Sequence, residues 1–358
     1  MTVRFRPVLD ALPAYVPGRS SPGATKLASN ENPYPPLPHV IERITEAAAG
    51  LNRYPDTNST ALTQALAEKY GVRPEQLALG CGSVSLCQQL VLATAGEGDE
   101  VLFAWRSFEA YPIVTLIGGA TPVQVPLREQ THDLAAMAEA ITERTRLIFV
   151  CNPNNPTGTA VAGAELVEFL DRVPRDVLVV LDEAYREFVT DESVVDGLTL
   201  LPRYQNLIVL RTFSKAYGLA GMRVGYGIAA DPAVAMAARQ TQTPFTVTSV
   251  AQVAALASLD ELAEKQLAER VAELVGERRR LTDALRELGY AVPESQANFV
   301  WLADGDPAAG GIDAVTFAAG CEQRGLLVRA FAGSGVRITV STTAENDALL
   351  AAARELRG

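Results

Sequence analysis

Three short stretches of the chain carry polar residues whose order suits a single reaction site: Asn154-Asn155-Pro156-Thr157-Gly158, Asp182-Glu183-Ala184-Tyr185 and Thr212-Phe213-Ser214-Lys215. Each follows an apolar run of strand length, and in an open α/β sheet ligands gather beyond the carboxyl ends of the strands. Taken singly, each has a plain structural explanation. The first is a tight turn, Asp182 a helix N-cap or half of an ion pair, and Lys215 a solvated surface lysine. Their succession at the ends of neighbouring strands favours one shared rim instead.

Together these residues supply what a pyridoxal phosphate cofactor requires. Lys215 offers an amine that can form a Schiff base and later act as general acid and base. Asp182 offers a carboxylate to keep a pyridine nitrogen protonated, and in a low dielectric that pairing strengthens the ring as an electron sink. Asn155 and Tyr185 can donate to the phenolate oxygen. For the phosphate, Gly80-Cys81-Gly82-Ser83 lies between an expected strand and a helix expected from about Ser85, where backbone N–H groups and the helix dipole attract an anion. Thr212, Ser214 and Arg223 add hydroxyls and a fixed positive charge. No Gly-Lys-Ser/Thr follows these glycines, which excludes a P-loop ATPase.

The elements that must position these groups follow from the hydrophobic pattern. From about residue 40 to residue 230, short apolar runs alternate with longer amphipathic segments, the βαβ rhythm of a largely parallel sheet. Strands are expected at Leu77–Leu79, Glu100–Phe103, Pro122–Val125, Leu147–Cys151, Val177–Asp182, Leu207–Arg211 and Val224–Ile228. Helices are expected at Ser59–Tyr70, Ser85–Ala93, Leu134–Ala140 and Ala164–Arg172, each able to form a right-handed crossover. One long helical run, Ser249 to Leu288, then leads into strands at Asn298–Leu302, Leu326–Arg329 and Val336–Val340, with helices over Ile312–Gln323 and Ala344–Leu356. The fold class is α/β. The organisation expected is an arm over residues 1–35, where Pro7, Pro13, Pro17, Pro22, Pro33 and Pro35 argue against a packed unit, a large domain over 36–247 and a smaller α+β domain over 248–358.

Composition narrows the partners. A net charge of −11 spread along 358 residues leaves no basic stripe for a nucleic-acid backbone. Four cysteines without CxxC spacing and only two histidines, His39 and His132, assemble no metal-ligand pattern. The start of the chain, Met1 to Pro7, lacks the apolar core of a secretory signal, and the longest uncharged stretch, Thr241 to Leu259, is too rich in Thr, Ser and Gln to span a bilayer. A cytoplasmic protein with small-molecule substrates, reduced thiols and no membrane or nucleic-acid partner is the expectation.

With these residues in view, the chain resembles the fold-type I aminotransferases, and more narrowly the histidinol-phosphate aminotransferase family. The likeness runs from Leu27-Ala28-Ser29-Asn30-Glu31-Asn32-Pro33 through Arg53-Tyr54-Pro55 and the stretches above to Gly335-Val336-Arg337-Ile338-Thr339-Val340. It implies a mainly parallel seven-stranded sheet sandwiched by helices, pyridoxal 5'-phosphate as cofactor, and a homodimer in which Tyr54 reaches the neighbouring subunit's cofactor phosphate. It also implies that Ser83 and Val84 offer backbone groups to the cofactor, that Arg337 grips the anionic end of the substrate, and that Tyr15, Asn32 and Arg329 line the substrate site. Phe108, in Trp105-Arg106-Ser107-Phe108-Glu109-Ala110-Tyr111, stands where the family's usual pattern places a tyrosine against the pyridine ring. That stretch, with Gly80 to Cys87 and Ser295 to Trp301, resembles the aromatic or phenylalanine aminotransferase branch. Transamination of aromatic L-amino acids with a 2-oxo acid such as 2-oxoglutarate is therefore the expected function, and action on histidinol phosphate the alternative. A catalytically silent cofactor binder and a lyase on the same fold are the more distant readings.

Overall fold

The computed structural model describes residues 3–8, 12 and 21–357. Its strands are β1 Thr25–Leu27, β2 Leu77–Gly80, β3 Glu100–Trp105, β4 Thr121–Pro126, β5 Thr145–Cys151, β6 Leu178–Asp182, β7 Leu207–Thr212, β8 Gly225–Ala229, β9 Phe299–Ala303, β10 Leu326–Phe331 and β11 Gly335–Thr339. Its helices are α1 Pro38–Ala48, α2 Thr60–Tyr70, α3 Ser83–Thr94, α4 Ala110–Gly118, α5 Leu134–Glu139, α6 Gly163–Arg172, α7 Pro232–Gln240, α8 Ser249–Ala257, α9 Glu261–Glu287, α10 Ala314–Gln323 and α11 Thr343–Arg357.

Seven strands form one sheet in the order β2-β8-β7-β6-β5-β3-β4. Every neighbouring pair from β7 to β4 is parallel, and β8 alone runs antiparallel to both its neighbours. The central strands are near-continuous runs of Leu, Ile and Val because helices cover both faces, and every residue of β6 and β7 is buried. Helix α6 shows how the cover works: Leu166, Phe169 and Leu170 face the sheet at helical spacing while Glu165, Glu168 and Arg172 point away from the buried set. The mainly parallel α/β sheet matches the sequence expectation.

The second sheet has the order β1-β10-β11-β9. Its first strand was not foreseen, because the proline-rich start reads as an unpaired arm. Thr25 to Leu27 pair in parallel with Leu326 to Val328, and the next residues are pinned between the two sheets by Asn30 N donating to Thr339 Oγ1 at 2.9 Å and Asn298 Nδ2 donating to Asn30 O at 3.1 Å. Tyr185, Phe188 and Ala216, from loops beyond the large sheet, pack into the same apolar cluster as Val300, Val336 and Ile338 of the smaller sheet. The loops that carry the candidate chemistry are thus wedged between two cores.

Two local expectations are corrected. The run from Ser249 to Leu288 is two helices: Ser258 to Asp260 interrupt it, and the Asp260 carboxylate accepts from Ala263 N to cap the second. Helix α3 begins at Ser83 rather than near Ser85, which brings its first turn onto the glycine loop. Among the described residues no helix is long and apolar enough to cross a membrane.

Candidate active site

Strand β6 ends on Asp182 and strand β7 leads through Thr212 to Lys215, and both side chains line one cavity of about 450 Å³. Of the two adjacent acids in Asp182-Glu183, only the first faces that cavity. Glu183 turns away to accept from Arg211 Nη2 at 2.7 Å and from Gly197 N at 2.8 Å, a buried pair that ties the ends of β6 and β7 together.

Asp182 is 3% exposed and accepts from Tyr111 Oη at 2.9 Å and from Ala184 N at 3.2 Å. Burial pushes its carboxyl up to about 6, while Tyr111, the Ala184 amide and Lys215 pull in the other direction. Lys215 Nζ donates to Ser29 O at 3.3 Å and lies 5.9 Å from the centre of the Tyr185 ring. Removal from water lowers its amine to about 7, assisted by the charges of Arg337 and Arg223 and opposed by Glu31 and Asp182. An acid raised and a base lowered in one cavity is the pattern by which proton-transfer sites are recognised.

At one end of the cavity, α3 opens directly from Gly82, which has φ 74°, so its first turn, whose backbone N–H groups have no partner within the helix, borders the space at Ser83 and Val84. Arg223 Nη1 donates to Ser214 Oγ at 3.3 Å and to Ala220 O at 3.1 Å, and Thr212 Oγ1 donates to Ser214 Oγ at 3.0 Å. A Cβ at Gly82 would strike the Arg223 guanidinium, and one at Gly225 would strike Ser83 N, so glycine at both positions is what lets arginine, strand and loop converge. Arg223 itself sits at φ 55°, a left-handed conformation unusual for arginine, at the point where its side chain turns back to this loop.

At the other end, Arg337 Nη1 donates to Asn155 Oδ1 at 2.5 Å and Nη2 to Ala28 O at 2.7 Å. Tyr185 Oη accepts from Asn30 Nδ2 at 2.9 Å, which leaves its own hydrogen available to a ligand, and burial raises its phenol so that it stays neutral. Arg329 Nη2 donates to Glu109 Oε2 at 3.0 Å. Phe108 also lines the cavity, edge-on to Tyr111 with ring centres 5.5 Å apart.

Of the residues singled out in the sequence, Ser83, Val84, Phe108, Asn155, Asp182 and Tyr185 line this cavity, as do Thr212, Ser214, Lys215, Arg223, Arg329 and Arg337. Three do not. Tyr54 is 81% exposed and stacks on Phe245 with ring centres 4.5 Å apart, away from the cavity lining. Asn32 spends its side chain on Ala216 O and Tyr34 N, steadying the segment next to Lys215. Tyr15 lies outside the described residues. Sequence reasoning gave no role to Ala28, Ser29 and Asn30, which line the cavity from the N-terminal segment, or to Tyr111 and Glu109. Tyr111 follows Phe108 by three residues, and its backbone N–H closes a turn on Phe108 O at 3.0 Å as α4 begins.

The donor set fits pyridoxal 5'-phosphate. A buried carboxylate awaits a cationic ring nitrogen, an amine of lowered basicity shares its cavity, and a helix N-terminus with two hydroxyls and an arginine suits a phosphate.

The sequence matches the model of the family described as aminotransferase class I and II over residues 22–353. An aromatic amino acid aminotransferase of Streptomyces coelicolor is 57% identical, the alignment covering 99% of this chain and 98% of that protein. One from Thermobifida fusca is 56% identical over 98% of this chain and 96% of its own. Among solved structures, histidinol-phosphate aminotransferase from Sinorhizobium meliloti in complex with pyridoxal-5'-phosphate superposes with a TM-score of 0.88 at 29% identity, covering 100% of this chain and 98% of that one. Aromatic aminotransferase from Pyrococcus horikoshii shares the fold with a TM-score of 0.82 at 22% identity, over 93% and 95% of the two chains. Full-length agreement in sequence, together with an acid, an amine and an anion cradle at the rim of one parallel sheet, leads to one conclusion: the chain belongs to the class I and II aminotransferase family.

Proposed function

We propose that this protein is an aromatic L-amino acid aminotransferase that binds pyridoxal 5'-phosphate at Lys215 and passes the amino group of phenylalanine, tyrosine or tryptophan to a 2-oxo acid such as 2-oxoglutarate. The observation that carries the reading is the single cavity that holds Lys215, Asp182 and Arg337 against a wall of Phe108, Ile113 and Ile117. Relatives at 57% and 56% identity that bear the aromatic name support the substrate class.

When bound, the cofactor supplies an aldehyde that condenses with a primary amine and a ring that takes up the electron pair left when the substrate Cα loses its proton. The residues do the rest. Asp182 would hold the proton on the ring nitrogen, and Phe108 would offer its ring to the cofactor's. Tyr185 and Asn155 would supply donors for the phenolate oxygen. The backbone at Ser83 and Val84, with Thr212, Ser214 and Arg223, would take the phosphate. Arg337 fixes the substrate carboxylate with its planar fork, so that the Cα–H bond is presented to Lys215 Nζ. Lys215 Nζ would take that proton and deliver it to the former aldehyde carbon, across the nitrogen from Cα; an amine lowered to about 7 is neutral often enough to do so near neutral pH.

The active unit is a cytoplasmic homodimer in this reading. The exposed Tyr54–Phe245 stack supports a surface made to meet a second copy, and four unpaired cysteines among the described residues suit a reducing compartment. One purified holoenzyme, assayed with L-phenylalanine and with L-histidinol phosphate against 2-oxoglutarate, tests the substrate assignment. Turnover of phenylalanine at least about tenfold more efficient upholds it, and the reverse order would assign the chain to histidinol phosphate.

Tyr111 tests the cofactor side. In Tyr111→Phe the ring keeps its stack on Phe149, at 4.3 Å and 4°, but the hydrogen bond to Asp182 is lost. A charged hydrogen bond is worth about 1.5–3 kcal/mol, so cofactor retention should weaken by about tenfold or more, read from the visible absorption of cofactor titrated into apoprotein. Unchanged retention would reduce Tyr111 to ring packing.

A further inference from the structure

The proposed reaction asks one pocket to hold a neutral aromatic side chain and then, with 2-oxoglutarate, an anionic one. The inference that follows rests on that reading and concerns how the pocket changes charge.

Arg329 and Arg337 are register partners across β10 and β11, so their side chains leave the same face of the small sheet from Cα atoms about 5 Å apart. They then diverge. Arg337 is committed to Asn155 and Ala28 O beside the reacting groups, whereas Arg329 reaches to Glu109 at the start of α4, next to Phe108. Because both arginines and Glu109 line one cavity, a substrate held by its carboxylate on Arg337 has room to extend its side chain toward the Arg329–Glu109 pair. Phe331 lies between the two arginines, its ring centre 5.5 Å from the Arg329 guanidinium and 5.7 Å from that of Arg337.

We propose that Glu109 is a specificity-determining residue: a displaceable counter-ion that pairs with Arg329 while a neutral side chain fills the pocket, and gives up that place to the carboxylate of an acidic substrate. Arg329 is only 17% exposed, and an aromatic ring pressed against a poorly hydrated guanidinium without an anion would be disfavoured. Glu109 is an anion that the structure places against it. It is also free to leave, because it is 30% exposed and its carboxylate makes no capping hydrogen bond to α4. Arg106, which interacts electrostatically with both Glu109 and Arg329, gives the displaced carboxylate a second cation.

The test compares wild type, Glu109→Gln and Arg329→Met as holoenzymes. Dissociation constants are measured by calorimetry for glutarate and 3-phenylpropanoate, non-reacting mimics of the two substrate classes, alongside KM and kcat for L-phenylalanine and 2-oxoglutarate. Glu109→Gln should bind glutarate about tenfold tighter and 3-phenylpropanoate several-fold more weakly, with KM moving more than kcat. Arg329→Met should lose about tenfold on glutarate and keep or improve 3-phenylpropanoate. If Glu109→Gln shifts both ligands in the same direction and to the same extent, the counter-ion role is overturned. A wild type that fails to turn over phenylalanine would overturn the aromatic reading instead, and the glutarate contrast would still decide the role of Glu109.

Discussion

Lys215→Ala is expected to lose at least about 10⁴-fold in turnover while the chain still folds, because in the proposed reaction one substitution removes both the amine that would react with the cofactor and the base that would move the Cα proton. A stability measurement separates this from simple damage. The amine is lowered from 10.5 to about 7, so between those values the unfolded chain binds the proton more readily than the folded one. Its contribution to stability therefore rises as pH climbs from 7 toward 10.5, and below 7 the full penalty of desolvating the ammonium is present. Denaturation of the cofactor-free protein at pH 7 and pH 9 should show wild type gaining on the order of 1–2 kcal/mol that Lys215→Ala does not gain, the figure discounted because the residue is only partly buried. Retained turnover, together with the visible absorption of bound cofactor, would overturn the role of Lys215 outright.

Much of this arrangement was legible because parallel strands advertise themselves. Residues 147–151, 177–182 and 207–211 read as buried strands, and the polar residues that end them had to share a rim once the crossovers were right-handed. Asp182, Asn155 and Lys215 line one cavity for that reason. Helix α4 was not. Its sequence, AYPIVTLIG, is apolar on every side, so no helical period stands out, and its C-terminal Gly119 carries a positive φ that only the structure reveals. With the helix went Tyr111, which donates to Asp182, and Glu109, which pairs with Arg329. Strand β1 was missed for a different reason. Three residues between prolines carry too little pattern to signal a strand, and its pairing depends on β10, some three hundred residues later in the chain. The loss mattered, since Ala28, Ser29 and Asn30 bind Arg337, Lys215 and Tyr185 through groups that no motif could have announced: two backbone carbonyls and an amide.

Asp182→Asn is expected to move activity and stability in opposite directions. In the proposed reaction the ring nitrogen would then have no anion to hold its proton, and turnover should fall by about 10³-fold, comparable to removing a preorganised electrostatic partner from a dry site. Yet the apoprotein should become more stable at neutral pH. The Asp182 carboxyl is raised from 3.8 to about 6 chiefly by burial, so between these values the folded protein holds a proton that the unfolded chain releases. Stability from this group is thus lost as pH rises from about 4 to 6, and above 6 the penalty is on the order of 2–3 kcal/mol. Asparagine carries no charge to desolvate, can still accept from the Ala184 amide, and can donate to the Tyr111 hydroxyl, which is able to rotate and accept. Urea denaturation of the two apoproteins should therefore show the variant ahead by about 2 kcal/mol at pH 7.5 and no gain at pH 4. Saturation with cofactor should cancel or reverse that advantage, because only the wild-type carboxylate gains an ionic partner. An acid that merely held the fold together would weaken the protein when neutralised. One kept buried to meet a cation should strengthen it, and that difference in sign distinguishes a structural carboxylate from a waiting one.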